Sequence, residues 1–75
     1  MVFEKLKQIF CEEFEIDDND LSPDAVLTLD LGLSDIDLID MVMSIEDEFG
    51  IELPDEALED IRTVADLVKY IDENI

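Results

Sequence analysis

The 75-residue chain has room for one domain and one core, which at this size rarely supplies more than about 3–5 kcal/mol of net stability and cannot enclose an active site with its support. Its 23 acidic residues against 4 basic ones, the lack of His and a formal net charge of −19 set it against nucleic-acid backbones and anionic membranes, so basic protein surfaces are its expected partners. Hydrophobic residues at 48% are too many for a disordered acidic tail, and the lone Cys11, with no signal peptide and no long apolar run, predicts a soluble cytoplasmic protein without an internal disulfide or membrane insertion.

Phe3, Leu6, Phe10 and Phe14 recur at helical spacing with Lys5, Lys7, Glu12 and Glu13 between them, which predicts an amphipathic helix over residues 2–14. Cys11 falls off that stripe at about 100° per residue and reads as a half-exposed, inert thiol. From Ile16 to Gly32 the helical period is lost. Asp17-Asp18-Asn19-Asp20, Ser22-Pro23-Asp24 and the aliphatics Val26, Leu27, Leu29 and Leu31 predict a long structured connection pinned to the core by those aliphatics. The acids at 17–20 do not open a calcium loop. Counting from Asp18, Pro23 stands where such a loop needs Gly and Leu29 where it needs a bidentate Glu. No specific metal site is expected, only weak association of Ca²⁺ or Mg²⁺ with the crowded carboxylates.

The second helix is predicted from Ser34 or Asp35 to Gly50, a residue suited to a left-handed C-terminal cap. Ser34 with Asp37 three residues on is a near match to the capping box, so Ser34 can satisfy a free amide of the first turn. Leu53-Pro54-Asp55-Glu56 opens a short third helix with Pro in its first turn, and Glu56 to Ile61 completes it. Thr63 caps a last helix whose buried stripe is Val64, Leu67, Val68, Ile71 and Ile75.

The second helix carries more apolar surface than one core requires. At about 100° per residue, Leu38, Met41, Val42, Ile45 and Phe49 form one stripe, the expected core face. Ile36, Ile39 and Met43 form a second stripe on roughly the opposite side, flanked by Asp37, Asp40 and Asp47. An apolar strip rimmed by carboxylates suits docking on a greasy groove surrounded by Lys or Arg. Cover by the 16–32 connection or the third helix is the competing expectation. Paired acids such as Asp35 and Asp37 bring no His, phosphate loop or deep polar cleft with them, so no enzyme activity is expected.

Asp30-Leu31-Gly32-Leu33-Ser34-Asp35-Ile36, followed by Val42-Met43 and Glu46-Asp47-Glu48-Phe49, resembles the attachment region of acyl carrier proteins. Val2-Phe3-Glu4-Lys5, Ile51-Glu52-Leu53-Pro54-Asp55-Glu56, Thr63-Val64 and Tyr70-Ile71 extend the resemblance over almost the whole chain. It implies an all-α fold, a small four-helix bundle of three longer helices and one short one, with a long structured loop between helices one and two, in a single domain over residues 1–75. It also implies a carrier of fatty acid or related synthesis, holding acyl groups as thioesters on a 4'-phosphopantetheine arm. The acyl chain lies in a cleft between helices, and Ile36, Asp37, Ile39, Asp40, Met43, Glu46 and Asp47 face synthases, reductases and the arm-adding transferase. A monomer is expected.

In that family the motif reads Leu-Gly-Ala/Leu-Asp-Ser-Leu, and its Ser, at the start of the second helix, takes the arm. Here the register set by Leu31-Gly32 and by Glu46 to Phe49 puts Asp35 in the place of that Ser and Ser34 in the place of the acid. Arm transfer needs a hydroxyl nucleophile, which Asp35 lacks. Ser34 supplies one, rotated by about 100° and shifted by about 1.5 Å along the axis. Ser44 lies mid-helix, about three turns away, and is a poorer candidate. Three readings follow: a working carrier with the arm on Ser34; a carrier fold that cannot take the arm, natural or made by substituting Asp at position 35, and acts only by docking; and a small acidic inhibitor or scaffold.

Overall fold

The N-termini of the second and last helices and the C-termini of the first two fall where a side chain or a left-handed residue provides for unpaired backbone groups. The computed structural model describes residues 2–75 and places α1 at Val2–Phe14, α2 at Asp35–Phe49, α3 at Asp55–Asp60 and α4 at Val64–Asn74, with one 3₁₀ turn at Asp18–Asp20. Among the described residues there is no strand, only an isolated antiparallel bridge between Val26 and Thr63. The fold is all-α, as the periodicity and caps predict.

Ser34 and Thr63 each form a complete capping box, with Asp37 and Asp66 as the reciprocal acids. Gly50 closes α2 in the left-handed region at φ 66°, its N–H donating to the Glu46 carbonyl. α1 ends on a left-handed residue too, but that residue is Glu15, at φ 55°. One expectation shifts at α3. Pro54 is the N-cap in extended conformation rather than a residue of the first turn, and the six-residue helix starts at Asp55.

α1 packs against α2 and α4. Leu6, Ile9 and Phe10 of α1 meet Met41 and Ile45 of α2 and Val64, Leu67 and Ile71 of α4, all buried. Ile9 joins this core although the aromatic spacing of α1 did not single it out. Phe3 and Phe14, expected on the stripe, are only partly buried, and Cys11 is half-exposed as expected.

The connection between α1 and α2 is stitched to the start of α4 by backbone hydrogen bonds. Leu27 N–H donates to the Arg62 carbonyl at 2.9 Å, Val64 N–H to Ala25 at 3.0 Å and Ala65 N–H to Pro23 at 2.9 Å. Leu21, Ala25, Leu27 and Leu33 are thereby buried, so the connection is the structured crossover that its aliphatics predict. Leu29 corrects that expectation. It is 84% exposed, because the turn over residues 27–30 points it away from the core. Ile75, expected to finish the α4 stripe, is 66% exposed at the C-cap. No helix among the described residues is long and apolar enough to cross a membrane.

Candidate functional site

Leu33 fixes the entrance to α2. It is buried, and its N–H donates to the Leu27 carbonyl at 3.2 Å, so the residue after it has no freedom to slide along the helix axis. Ser34 follows as the N-cap. Its Oγ accepts from Asp37 N–H at 3.3 Å, while an Asp37 carboxylate oxygen accepts from Ser34 N–H at 3.0 Å. Ser34 is exposed, and among the described residues its hydroxyl donates to no protein group. The hydroxyl proton is free and the oxygen only weakly engaged, so a phosphoryl group can be attached there without dismantling buried structure.

Asp35 is the first helical residue, also exposed. The site therefore presents a hydroxyl at the N-cap and a carboxylate one step into the helix, the order that the sequence gives. The capping box occupies the Ser34 and Asp37 N–H groups, and the N–H groups of Asp35 and Ile36 together with the partial positive charge of the α2 N-terminus favour an anion at either place. Ser44, the other hydroxyl of α2, donates to the Glu13 carboxylate of α1 and is half-buried in that packing.

The second stripe of α2 is uncovered. Ile36 is 72% exposed, Ile39 58% and Met43 56%, with Asp40 and Asp47 exposed beside them. Neither the 16–32 connection nor α3 covers this strip. Asp37 and Glu46 differ from the other acids assigned to the face. Asp37 is half-buried in its capping box, and Glu46, also half-buried, accepts from Leu53 N–H at 2.9 Å, bracing the loop between α2 and α3. Only their remaining carboxylate oxygens are free to face a partner.

One helical turn beyond Ser34, Leu38 opens onto a groove of about 300 Å³ bounded by Val26, Leu27, Thr28 and Leu29 of the connection and by Leu58, Ile61 and Arg62 on the other side. Sequence reading assembled none of this groove, since its walls come from three segments that meet only through tertiary packing. A depression of about 570 Å³ lies along α1 between Glu4 and Asp18 and shares no residue with the start of α2. No group of three or more His, Cys, Asp or Glu side chains among the described residues is arranged to hold a metal ion.

Residues 4–71 match the family model described as "Phosphopantetheine attachment site". The chain is also 37% identical over 73 residues, 97% of its own length and 94% of theirs, to proteins named "Acyl carrier protein" from Helicobacter pylori strain G27 and strain HPAG1. With a capped, exposed hydroxyl at the head of α2 and a match running through all four helices, the chain belongs to the acyl carrier protein family, the phosphopantetheine-attachment domains that carry cargo and are not enzymes.

Proposed function

We propose that this protein carries acyl intermediates of fatty acid or related synthesis as thioesters on a 4'-phosphopantetheine arm, working as a monomeric cytoplasmic domain over residues 1–75. The observation that carries this reading is the exposed Ser34 hydroxyl at the head of α2, the sole hydroxyl between Thr28 and Ser44 in a chain of this family. Attachment forms a bond from Ser34 Oγ to the phosphorus next to pantetheine and breaks that phosphorus's pyrophosphate bond in coenzyme A. The hydroxyl proton goes to a base of the transferase. The arm, once attached, supplies the thiol on which acyl groups ride. Ile36, Ile39 and Met43, with Asp40, Asp47 and the free oxygens of Asp37 and Glu46, form the face offered to the transferase and to basic enzymes of acyl synthesis. The groove next to Leu38 receives the acyl chain. Ca²⁺ or Mg²⁺ associates weakly with the acidic surface.

A second reading is favoured by Asp35. The family's pattern places its attachment Ser at the first residue of this helix, and here that residue is a carboxylate, leaving Ser34 rotated by about 100° from the usual direction. A transferase that holds reacting atoms at near-attack distance loses much of its rate to such a displacement. In that reading the protein is a docking module without an arm, natural or Asp35-substituted.

Intact mass after incubation with coenzyme A and a broad-specificity transferase decides between them. The unaltered protein is expected to gain the arm slowly, and Asp35→Ser to gain it at a rate at least tenfold higher, an order-of-magnitude figure for restored alignment. Ser34→Ala in the otherwise unaltered chain abolishes the slow gain. Modification of neither the unaltered protein nor Asp35→Ser overturns the carrier reading and leaves the docking module.

A further inference from the structure

Arg62 stands apart among the charged side chains. It is the sole Arg of the chain; of the other cations, Lys5 pairs with Glu48, Lys7 pairs with Asp18, and Lys69 lies in a depression of α3 and α4 walled by Asp60, Asp66 and Glu73. Among the described residues the exposed Arg62 guanidinium forms no ion pair, although 23 acids belong to the same small molecule. Its backbone, by contrast, is fixed. Arg62 N–H donates to the Asp66 carboxylate, and the Arg62 carbonyl accepts from Leu27 N–H.

Two separate observations place Arg62 near the head of α2. The Leu27 that bonds to the Arg62 carbonyl also accepts from Leu33 N–H at 3.2 Å, and Leu33 immediately precedes Ser34. Arg62 also lines the groove onto which Leu38 opens, one helical turn from Ser34. No Asp or Glu lines that groove, whereas the depressions along α1, between α1 and α2, between α3 and α4 and at the end of α1 each have at least three carboxylates in their walls. In a chain of net charge −19, the Arg62 side is therefore where an anion at Ser34 meets the least repulsion.

An arm on Ser34 brings such an anion. Its phosphodiester stands next to Asp35 and Asp37 in sequence, and the N–H groups of Asp35 and Ile36 with the helix dipole offset only part of the like-charge contact. We propose that Arg62 is the phosphate-holding residue of the attachment site, its guanidinium pairing with the phosphodiester that joins the arm to Ser34. This rests on the carrier reading above. Arg suits the task because its planar fork matches two phosphate oxygens and stays charged at every working pH.

The experiment uses the unaltered chain, loaded on Ser34 from coenzyme A by prolonged incubation with the transferase and checked by intact mass, with Ser34→Ala as the blank. Because the chain has a single Arg, its Nε–H gives one side-chain resonance in a nitrogen-15 spectrum. That resonance should shift on loading, and the arm's phosphorus-31 resonance should move in loaded Arg62→Gln and return in Arg62→Lys. Loading of Arg62→Gln should be about two- to fivefold slower than the parent at low salt, the range of an exposed ion pair, and the difference should fade near 1 M salt. Arg62→Lys should recover most of the rate. The melting temperature of unloaded Arg62→Gln should match the parent, since the exposed side chain leaves no cavity and the backbone bonds remain.

An Arg62 resonance unmoved by loading overturns the proposal. So does an equal shift of that resonance with free coenzyme A or inorganic phosphate added to Ser34→Ala, which would reduce the effect to general anion attraction. Faster loading of Arg62→Gln also overturns it, because removing a cation favours docking on a basic transferase and would mean that docking alone responds. If the unaltered chain stays unloaded while Asp35→Ser loads, the carrier reading stands and Arg62 loses its assignment. Failure of both to load overturns the carrier reading and the proposal together.

Discussion

A substitution at Ser34 removes two things at once, a nucleophile and a cap, so the choice of replacement decides what is learned. Ser34→Ala deletes the acceptor for Asp37 N–H and should cost about 1 kcal/mol of stability as well as the hydroxyl. Ser34→Asn keeps a capping oxygen and should leave stability nearly unchanged while still abolishing arm attachment. The same separation of fold from function applies along α2. Asp40 is exposed on the docking face, so Asp40→Lys should weaken binding to a basic partner enzyme severalfold, read by calorimetry, with a melting temperature close to the parent's. Ile45 is fully buried in the core, and Ile45→Ala should lose about 2–5 kcal/mol in urea unfolding, much of what a core this small supplies. Loss of stability in Asp40→Lys, or retained binding, would remove Asp40 from the docking face.

Among the helices, α4 depends most visibly on its first turn. The N–H groups of Arg62 and Thr63 both donate to the Asp66 carboxylate, at 3.1 and 3.2 Å, and these bonds hold its carboxyl below the usual carboxylate range. A group whose pKa is lower in the folded state stabilises the fold above its unfolded value and loses that contribution as pH falls through the folded value. The window therefore lies below the ordinary value of 3.8. Asp66→Asn should be less stable than the parent at pH 7, and the gap should narrow as pH falls below about 4. A gap that stays constant with pH would mean that Asp66 acts only through shape.

The caps of α2 and α4 were legible because Ser34, Gly50 and Thr63 act within four residues of themselves, and local chemistry is what a sequence displays. The uncovered strip of Ile36, Ile39 and Met43 was legible for a related reason: one helix cannot turn two opposite faces to a single core. Leu29, Ile9 and Glu46 were not. Whether an aliphatic in a connection points inward depends on the hydrogen bonds of Val26 and Leu27 to residues at the far end of the chain. Glu46 lies in the acidic run of α2 like its neighbours, and only the return of Leu53 to the helix gives it an inward bond. Pro54 fits either the cap or the first turn by composition, and its extended backbone settles the choice.

Over the whole molecule the dominant force besides core burial is self-repulsion. Twenty-three acids share a surface of 4882 Å², and among the described residues only Lys5 with Glu48, at 3.8 Å, and Lys7 with Asp18, at 3.0 Å, form ion pairs. The first is exposed and the second partly so, with Lys7 half-buried; surface pairs of this kind contribute little, so the repulsion is met mainly by ions from solution. The molecule spans 26 × 24 × 20 Å, whereas the screening length is about 10 Å at 0.1 M salt and about 30 Å at 0.01 M. At low salt every carboxylate therefore feels most of the others. Divalent cations collect in such a field more strongly than monovalent ones, and binding to the folded state in preference to the less charge-dense unfolded chain raises stability. Millimolar Mg²⁺ or Ca²⁺ should raise the melting temperature, and by more than Na⁺ at equal ionic strength. Because no cluster of ligands is arranged around one point, the rise should continue gradually with concentration instead of saturating at one equivalent. Equal shifts from Mg²⁺ and Na⁺ would reduce the effect to general screening, and saturation at one equivalent would require a discrete site that the described carboxylates do not form.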